Sequence, residues 1–166
     1  MDTSVWSQFK LRVNINTNPA KAYKAWNTPA GLESWFLRQA NFYKPDGRLL
    51  KKDEEIKTGD TYEWRWHGYT DEITEKGKVL AANGKDSFRF TFSLGCPVSI
   101  SIYEECGETI VELVESDLPA DEQTILKHYT GDSKGWLFYL TNLKSVLEGG
   151  LDLRNKKTEL TNVITA

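Results

Sequence analysis

Apolar and polar residues alternate without a fault from Phe9 to Asn16, with Phe9, Leu11, Val13 and Ile15 on one face and Lys10, Arg12, Asn14 and Asn16 on the other. That period of two belongs to a half-buried strand. Asn18 and Pro19 then supply a helix cap and a first-turn proline, and Ala22, Tyr23 and Trp26 form the apolar stripe of a short helix ending near Asn27. After Thr28-Pro29, the segment AGLESWF brings Leu32, Trp35 and Phe36 together on a second short helix. From Tyr43 to Gly59 the chain turns polar, with PDG at Pro45 to Gly47 and a KKDEE run from Lys51, the composition of a solvated hairpin or loop.

A series of strands follows. TYEWRWH sets Tyr62, Trp64 and Trp66 against Glu63, Arg65 and His67, and EITEKGKVL from Glu72 alternates more loosely, with Gly77 as a strand glycine at a bend. SFRFTFSL sets Phe88, Phe90, Phe92 and Leu94 against Arg89, Thr91 and Ser93, and VSISIY and TIVELV flank a turn at Cys106 and Gly107. Short successive strands with tight turns predict an antiparallel meander. LPADEQ at Leu118 closes the sheet, with Pro119 before a helical start that the GDSKG stretch, Gly131 to Gly135, interrupts or loosens. A last helix is expected from about Ser133 to Glu148. Its face carries Trp136, Tyr139, Leu140, Leu143, Val146 and Leu147, opposite Lys144, Ser145 and Glu148, and Gly149-Gly150 stops it. Phe138 lies about 200° from Trp136 at 100° per residue, on the side expected to face solvent.

The pattern as a whole predicts an α+β arrangement: a twisted antiparallel sheet with one apolar face, which the final helix must cover. At 166 residues the chain is expected to form one domain over 1–166, with a core of about 8–150 and a polar C-terminal tail at 151–166, loosely held after Arg154. Six Trp and seven each of Tyr and Phe exceed what a plain core of this size needs. A formal charge of -3 with no basic block makes nucleic acid an unfavourable partner. MDTSVWSQFK has no apolar signal core and no run approaches bilayer-crossing length, so a cytoplasmic chain without a membrane span is expected. Cys96 and Cys106 form no CxxC, and with two His in the chain no metal-ligand spacing can be assembled. The cysteines are expected to be reduced and structural, and no metal or cofactor is expected.

AYKAWNTPAGLESWF, the GDTYEW strand, EKGKVL leading into FRFTF, and above all GWLFYLTNLKSVLEGG followed by DLR resemble the SRPBCC (START-like, helix-grip) superfamily. The resemblance runs from about Phe9 to Arg154, and within the superfamily it is to the C-terminal domain family of the activator of the heat-shock-protein-90 ATPase. It implies a helix-grip fold: a strongly bent antiparallel sheet around the long C-terminal helix, with the two short helices sealing one end. Members commonly hold lipids, sterols, polyketides or other apolar molecules in a cavity between helix and sheet.

The aromatic residues accordingly have two readings, a solid core or the wall of a pocket for an apolar or aromatic small molecule. Trp35, Phe36, Tyr62, Trp64, Trp66, Phe90, Phe92, Trp136, Leu140 and Leu143 are the candidate ligand-binding residues, and the resemblance favours the pocket for a subset of them. Strand parity turns Arg65 and His67 outward if the aromatic residues face in, which avoids an unpaired buried guanidinium. His67 and His128 are the side chains that titrate nearest neutrality, but no GxSxG, HExxH or phosphate-binding glycine loop occurs. Glu104, Glu105 and Glu108 flank a turn and read as solvated. The leading reading is carriage of a hydrophobic small molecule without covalent chemistry. The alternatives are an interaction module that presents its surface to a chaperone or, through Phe138, to a second copy, and a cyclase- or hydrolase-like enzyme using His67, Tyr62 or Glu63.

Overall fold

The computed structural model describes residues 4–119, 121–160 and 163–164. The first three residues of the N-terminal segment, Ala120 within LPADEQ, and tail residues 161–162 and 165–166 lie outside the described residues. Strand β1 (Phe9–Ile15) is followed by helices α1 (Pro19–Asn27) and α2 (Pro29–Trp35), then by strands β2 (Gln39–Tyr43), β3 (Thr61–Arg65), β4 (Glu75–Ala82), β5 (Ser87–Phe92), β6 (Cys96–Glu105) and β7 (Glu108–Glu115). The chain ends in a helical run made of α3 (Glu122–Thr124), one π-helical turn (Ile125–Tyr129) and α4 (Thr130–Leu147). Among the described residues no helix is long and apolar enough to cross a membrane.

Seven described strands form one curved sheet in the order β1-β7-β6-β5-β4-β3-β2, with every pairing antiparallel. β2 to β7 are a meander, and β1 joins it by pairing with β7. β2 is the strand that the sequence pattern hides. QANFY carries only Ala40 and Phe42 on its buried face, too few positions for alternation to stand out beside the polar loop after it. β3 also stops at Arg65, so Trp66 and His67 begin the loop 66–74 instead of ending a strand.

The two short helices form as their caps require. Asn18 Oδ1 accepts the Lys21 N–H at 2.7 Å and Thr28 Oγ1 accepts the Gly31 N–H at 3.0 Å, each ahead of a proline in the first turn. Gly31 is obligatory at this junction, because a Cβ there would stand 2.3 Å from the Lys24 carbonyl oxygen. Gly77 plays the same part in the sheet. It lies opposite Tyr62, whose ring crosses it so closely that a Cβ would come within 2.5 Å of ring and hydroxyl atoms.

The helical run starts at Glu122, where Asp121 Oδ1 accepts the Thr124 N–H at 3.0 Å, and GDSKG does not interrupt it. Two helical glycines cost about 1 kcal/mol each relative to alanine, which the packing of the following turns offsets. Trp136, Tyr139, Leu140 and Leu143 are buried, and Val146 and Leu147 pack against the same core. Phe138 does not face solvent as the wheel suggests. It is half-buried against the core and meets the Tyr139 ring edge-on at 5.3 Å, while Leu137, 58% exposed, takes the outward position. The helix is flanked by both α2 and β1, so its covered arc is wider than one sheet face would give.

Part of the C-terminal tail is built into the structure. Arg154 is buried and uses all five of its guanidinium N–H donors: two reach the Asp152 carboxylate at 2.7 and 2.8 Å, and the others reach the carbonyls of Glu33, Ser34 and Leu37 at 2.9–3.0 Å. Asp152 also accepts from Asn142 Nδ2 at 3.1 Å, and Asn142 in turn donates to the Trp35 carbonyl at 2.6 Å and accepts the Leu153 N–H at 2.7 Å. The carbonyls at the C-terminus of α2 are thus satisfied by the tail and by α4 together. Replacing Arg154 with Ala strands those carbonyls and a carboxylate, and should cost about 3–5 kcal/mol of unfolding free energy, measurable by urea denaturation. Loss of less than 1 kcal/mol would mean that water replaces the clamp.

Candidate functional site

The ten aromatic and aliphatic candidates fall into two groups. Trp35, Tyr62, Trp64, Phe90, Leu140 and Leu143 are closed into the core. Tyr62 and Trp64 stack at 3.8 Å, Trp64 meets Phe90 at 5.2 Å, the Trp35 indole N–H donates to the Ala25 carbonyl at 3.0 Å, and the Tyr62 hydroxyl donates to the Thr91 carbonyl. Phe36, Trp66, Phe92 and Trp136 instead line a cavity of about 290 Å³ between α2, β5, α4 and the loop 66–74, completed by Tyr69, Ile73, Tyr139 and the helix residues Gly131, Asp132 and Gly135. Phe36 lies 5.0 Å from Trp136 and 4.7 Å from Tyr139, and Phe92 lies 5.1 Å from Trp136.

Gly131 and Gly135 stand one helical turn apart on the cavity wall, and a Cβ at either would meet no atom within 4 Å. Their missing side chains leave the space that a row of larger residues on this face would fill. The outer lip carries Tyr69 and Ile73, both exposed. Asp71 ties that loop to the sheet edge through Arg38 and through Arg65, the latter at 3.3 Å. A larger cleft of about 960 Å³ runs along α1, lined by charges of both signs, among them Lys24, Asp53, Glu55, Lys85 and Asp86. The smaller cavity is the one with a mainly aromatic lining.

Behind the aromatic wall is a polar cluster that sequence reasoning missed. Glu115, the last residue of β7, is 0% exposed, and its Oε2 accepts the Trp136 indole N–H at 3.0 Å. Its second oxygen, Oε1, and the Oδ2 of Asp132 are both buried and have no donor among the described residues. The two carboxyls are close enough to act as hydrogen-bonding partners, and one proton held between them satisfies both. Burial, then the charge of Asp132, push the Glu115 carboxyl up to about 8, against the pull of the Trp136 N–H. Burial also raises Asp132, opposed by Ser93 and His128, and raises Glu75, which senses Asp132. Ser93 Oγ and His128 Nδ1 are 3.0 Å apart. The signals for this cluster were present in the sequence: Glu115 has the inward parity of Val111 and Leu113, and Asp132 precedes Trp136 by four residues on one helix face.

No protein-family model matches the sequence, and no curated protein matches it. Among solved structures, the architecture is similar to protein SSP2350 from Staphylococcus saprophyticus, with a TM-score of 0.68 at 20% identity over 89% of this chain and 96% of that one. It is also similar to the Aha1 dimer from Colwellia psychrerythraea, with a TM-score of 0.65 at 18% identity over 86% of this chain and 97% of that one. The chain has the START-like helix-grip fold. A third neighbour, DynU16 from the dynemicin biosynthetic locus, gives a TM-score of 0.65 at 17% identity over 90% of this chain and 50% of that one.

In the helix-grip frame the weaker candidates lie away from the cavity. Glu63 is ion-paired with Lys76 at 2.6 Å on the outer face of the sheet. His67 is half-buried on the loop 66–74, where burial and the charges of Arg154 and Lys156 hold its pKa low. Tyr62 is locked in the core, with burial raising its pKa.

The Glu115 pair makes stability pH-dependent. Between the usual carboxylate range and about pH 8, folded Glu115 holds a proton that the unfolded chain has released, so stability falls as pH rises through that window. Raised Asp132 and Glu75 act in the same sense, and lowered His67 acts in the opposite one. Glu115→Gln isolates the Glu115 share. From pH 5 to 9 the wild-type Tm should fall relative to the variant by on the order of 5–10 °C, read by calorimetry. Parallel Tm curves would mean that Glu115 titrates as an ordinary carboxylate.

Proposed function

We propose that the protein binds a hydrophobic small molecule in the cavity between α4 and the sheet, with Phe36, Trp66, Phe92 and Trp136 as its wall. The observation that carries this reading is the cavity itself. A tightly packed aromatic core gives way, at one end, to about 290 Å³ of space bounded by rings and by two glycines that no packing contact requires. The volume is that of roughly ten water molecules, which suits a ligand of one ring and a short chain. Rigid aromatic walls supply affinity at small entropic cost, and the exposed lip at Tyr69 and Ile73 supplies the way in.

Native mass spectrometry of freshly purified protein, compared with the denatured mass, tests for a retained molecule. A substitution separates the cavity from the fold. Gly135→Leu adds a helix-favouring side chain that meets no atom on its first carbon, so Tm should hold or rise. The enhancement of Nile red fluorescence on binding should fall at least tenfold. An unchanged Nile red titration in Gly135→Leu would remove this cavity as the binding site.

A further inference from the structure

The lining of the cavity has one charged side chain, Asp132, and among the described residues that line it there is no Lys, Arg or His. An acid partly buried at an aromatic wall ordinarily has a cation of its own protein beside it. Here Asp132 is backed by a second acid, Glu115, and the groups that face the pair are Trp136 from α4, Glu75 from β4, Ser93 after β5, His128 from the π turn, and Cys96 and Tyr62 at longer range. Two carboxyl oxygens of this pair, one of them on a side chain with no exposed surface, have no donor among the described residues beyond the proton the pair shares. Trp66, Tyr69, Trp136 and Tyr139 stand around the same space.

We propose that the ligand is a small primary amine with an aromatic or branched apolar body, whose ammonium sits on Asp132 with Glu115 behind it and whose body fills the aromatic pocket. This rests on the cavity being the binding site. An ammonium brings three donors to two acceptors that in the free protein share a single proton, and a charge to the electron-rich rings around them. A neutral alcohol of the same shape brings one donor and no charge. A carboxylate would add a third acid to the site. The binding equation carries a proton: the ammonium enters, the proton shared between Glu115 and Asp132 leaves to solvent, and the net charge of the pocket is unchanged.

The test compares 2-phenylethylamine, 2-phenylethanol and phenylacetate by isothermal titration calorimetry at pH 7.5 on the whole chain, in two buffers of different ionisation enthalpy. The amine should bind at least tenfold more tightly than the alcohol, with proton release that the alcohol does not show, and phenylacetate should bind worst. Asp132→Asn and Glu115→Gln should each bring the amine-to-alcohol ratio below threefold. Asp132 is half-exposed, so Asp132→Asn carries the test if Glu115→Gln does not fold. Equal affinities for amine and alcohol in the wild type overturn the amine proposal and leave the cavity standing. A preference that survives both substitutions overturns the assignment to these acids. Failure of all three compounds and of Nile red to bind overturns the cavity reading, and this proposal with it.

Discussion

The hydrogen bond from the Trp136 indole to Glu115 joins the fold to the site. A helix that presses its apolar face into a curved sheet must bury the largest of its side chains, and a buried indole N–H is stabilised by an acceptor, which Trp136 has and Trp26 and Trp64 lack among the described residues. The strand opposite supplies a carboxyl in place of a carbonyl. That choice takes an acid out of water, and an acid so placed keeps its proton or finds a cation. The shared proton with Asp132 follows from it, and so do two buried oxygens with no other donor among the described residues.

The position of the cavity has an equally local cause. Over most of its length the space between helix and sheet is filled by rings in contact, from the Tyr62–Trp64 stack to the Trp26–Trp35 pair at 4.6 Å. Filling stops where α4 presents Gly131 and Gly135 and where β3 has already ended at Arg65, so that Trp66 leans from a loop and not from a strand. The void is therefore set by missing side chains on one wall and missing ladder on the other. Interiors pack too densely to leave such space without a cause of this kind.

Alternation exposed β1 and β3 to β7 in the sequence, and the caps at Asn18 and Thr28 exposed α1 and α2, because each signal is local and repeated. β2 is as long as β3, but its buried face carries the small Ala40 beside Phe42 where β3 carries Tyr62 and Trp64, so its alternation is weak. The division of aromatic residues between core and cavity was illegible, since Trp64 and Trp66 share one parity and differ only in whether the strand continues. Glu115 and Asp132 were legible one at a time, as an in-phase acid on a strand and an acid one turn before a tryptophan, but only the fold brings them together. Arg154 was the hardest to place: its partners at Glu33, Ser34 and Leu37 are backbone carbonyls, which every residue carries and no sequence pattern marks.

Arg154 and Glu115 are both buried ionisable groups, and the contrast between them separates structural polarity from functional polarity. The guanidinium has every N–H matched, and its carboxylate partner, which burial alone would push up, is held low by Arg154 and Lys156. Such a group has nothing left to offer a ligand, and it fixes geometry. The Glu115–Asp132 pair has a shared proton in place of a cation, and its two buried oxygens have no other donor among the described residues. An unfilled valence of this sort costs stability in the free protein, and that cost is recovered when a donor arrives. A pocket built only to exclude water would have ended in a neutral acceptor behind Trp136. This one ends in two acids, with no Lys, Arg or His among the described residues of its lining.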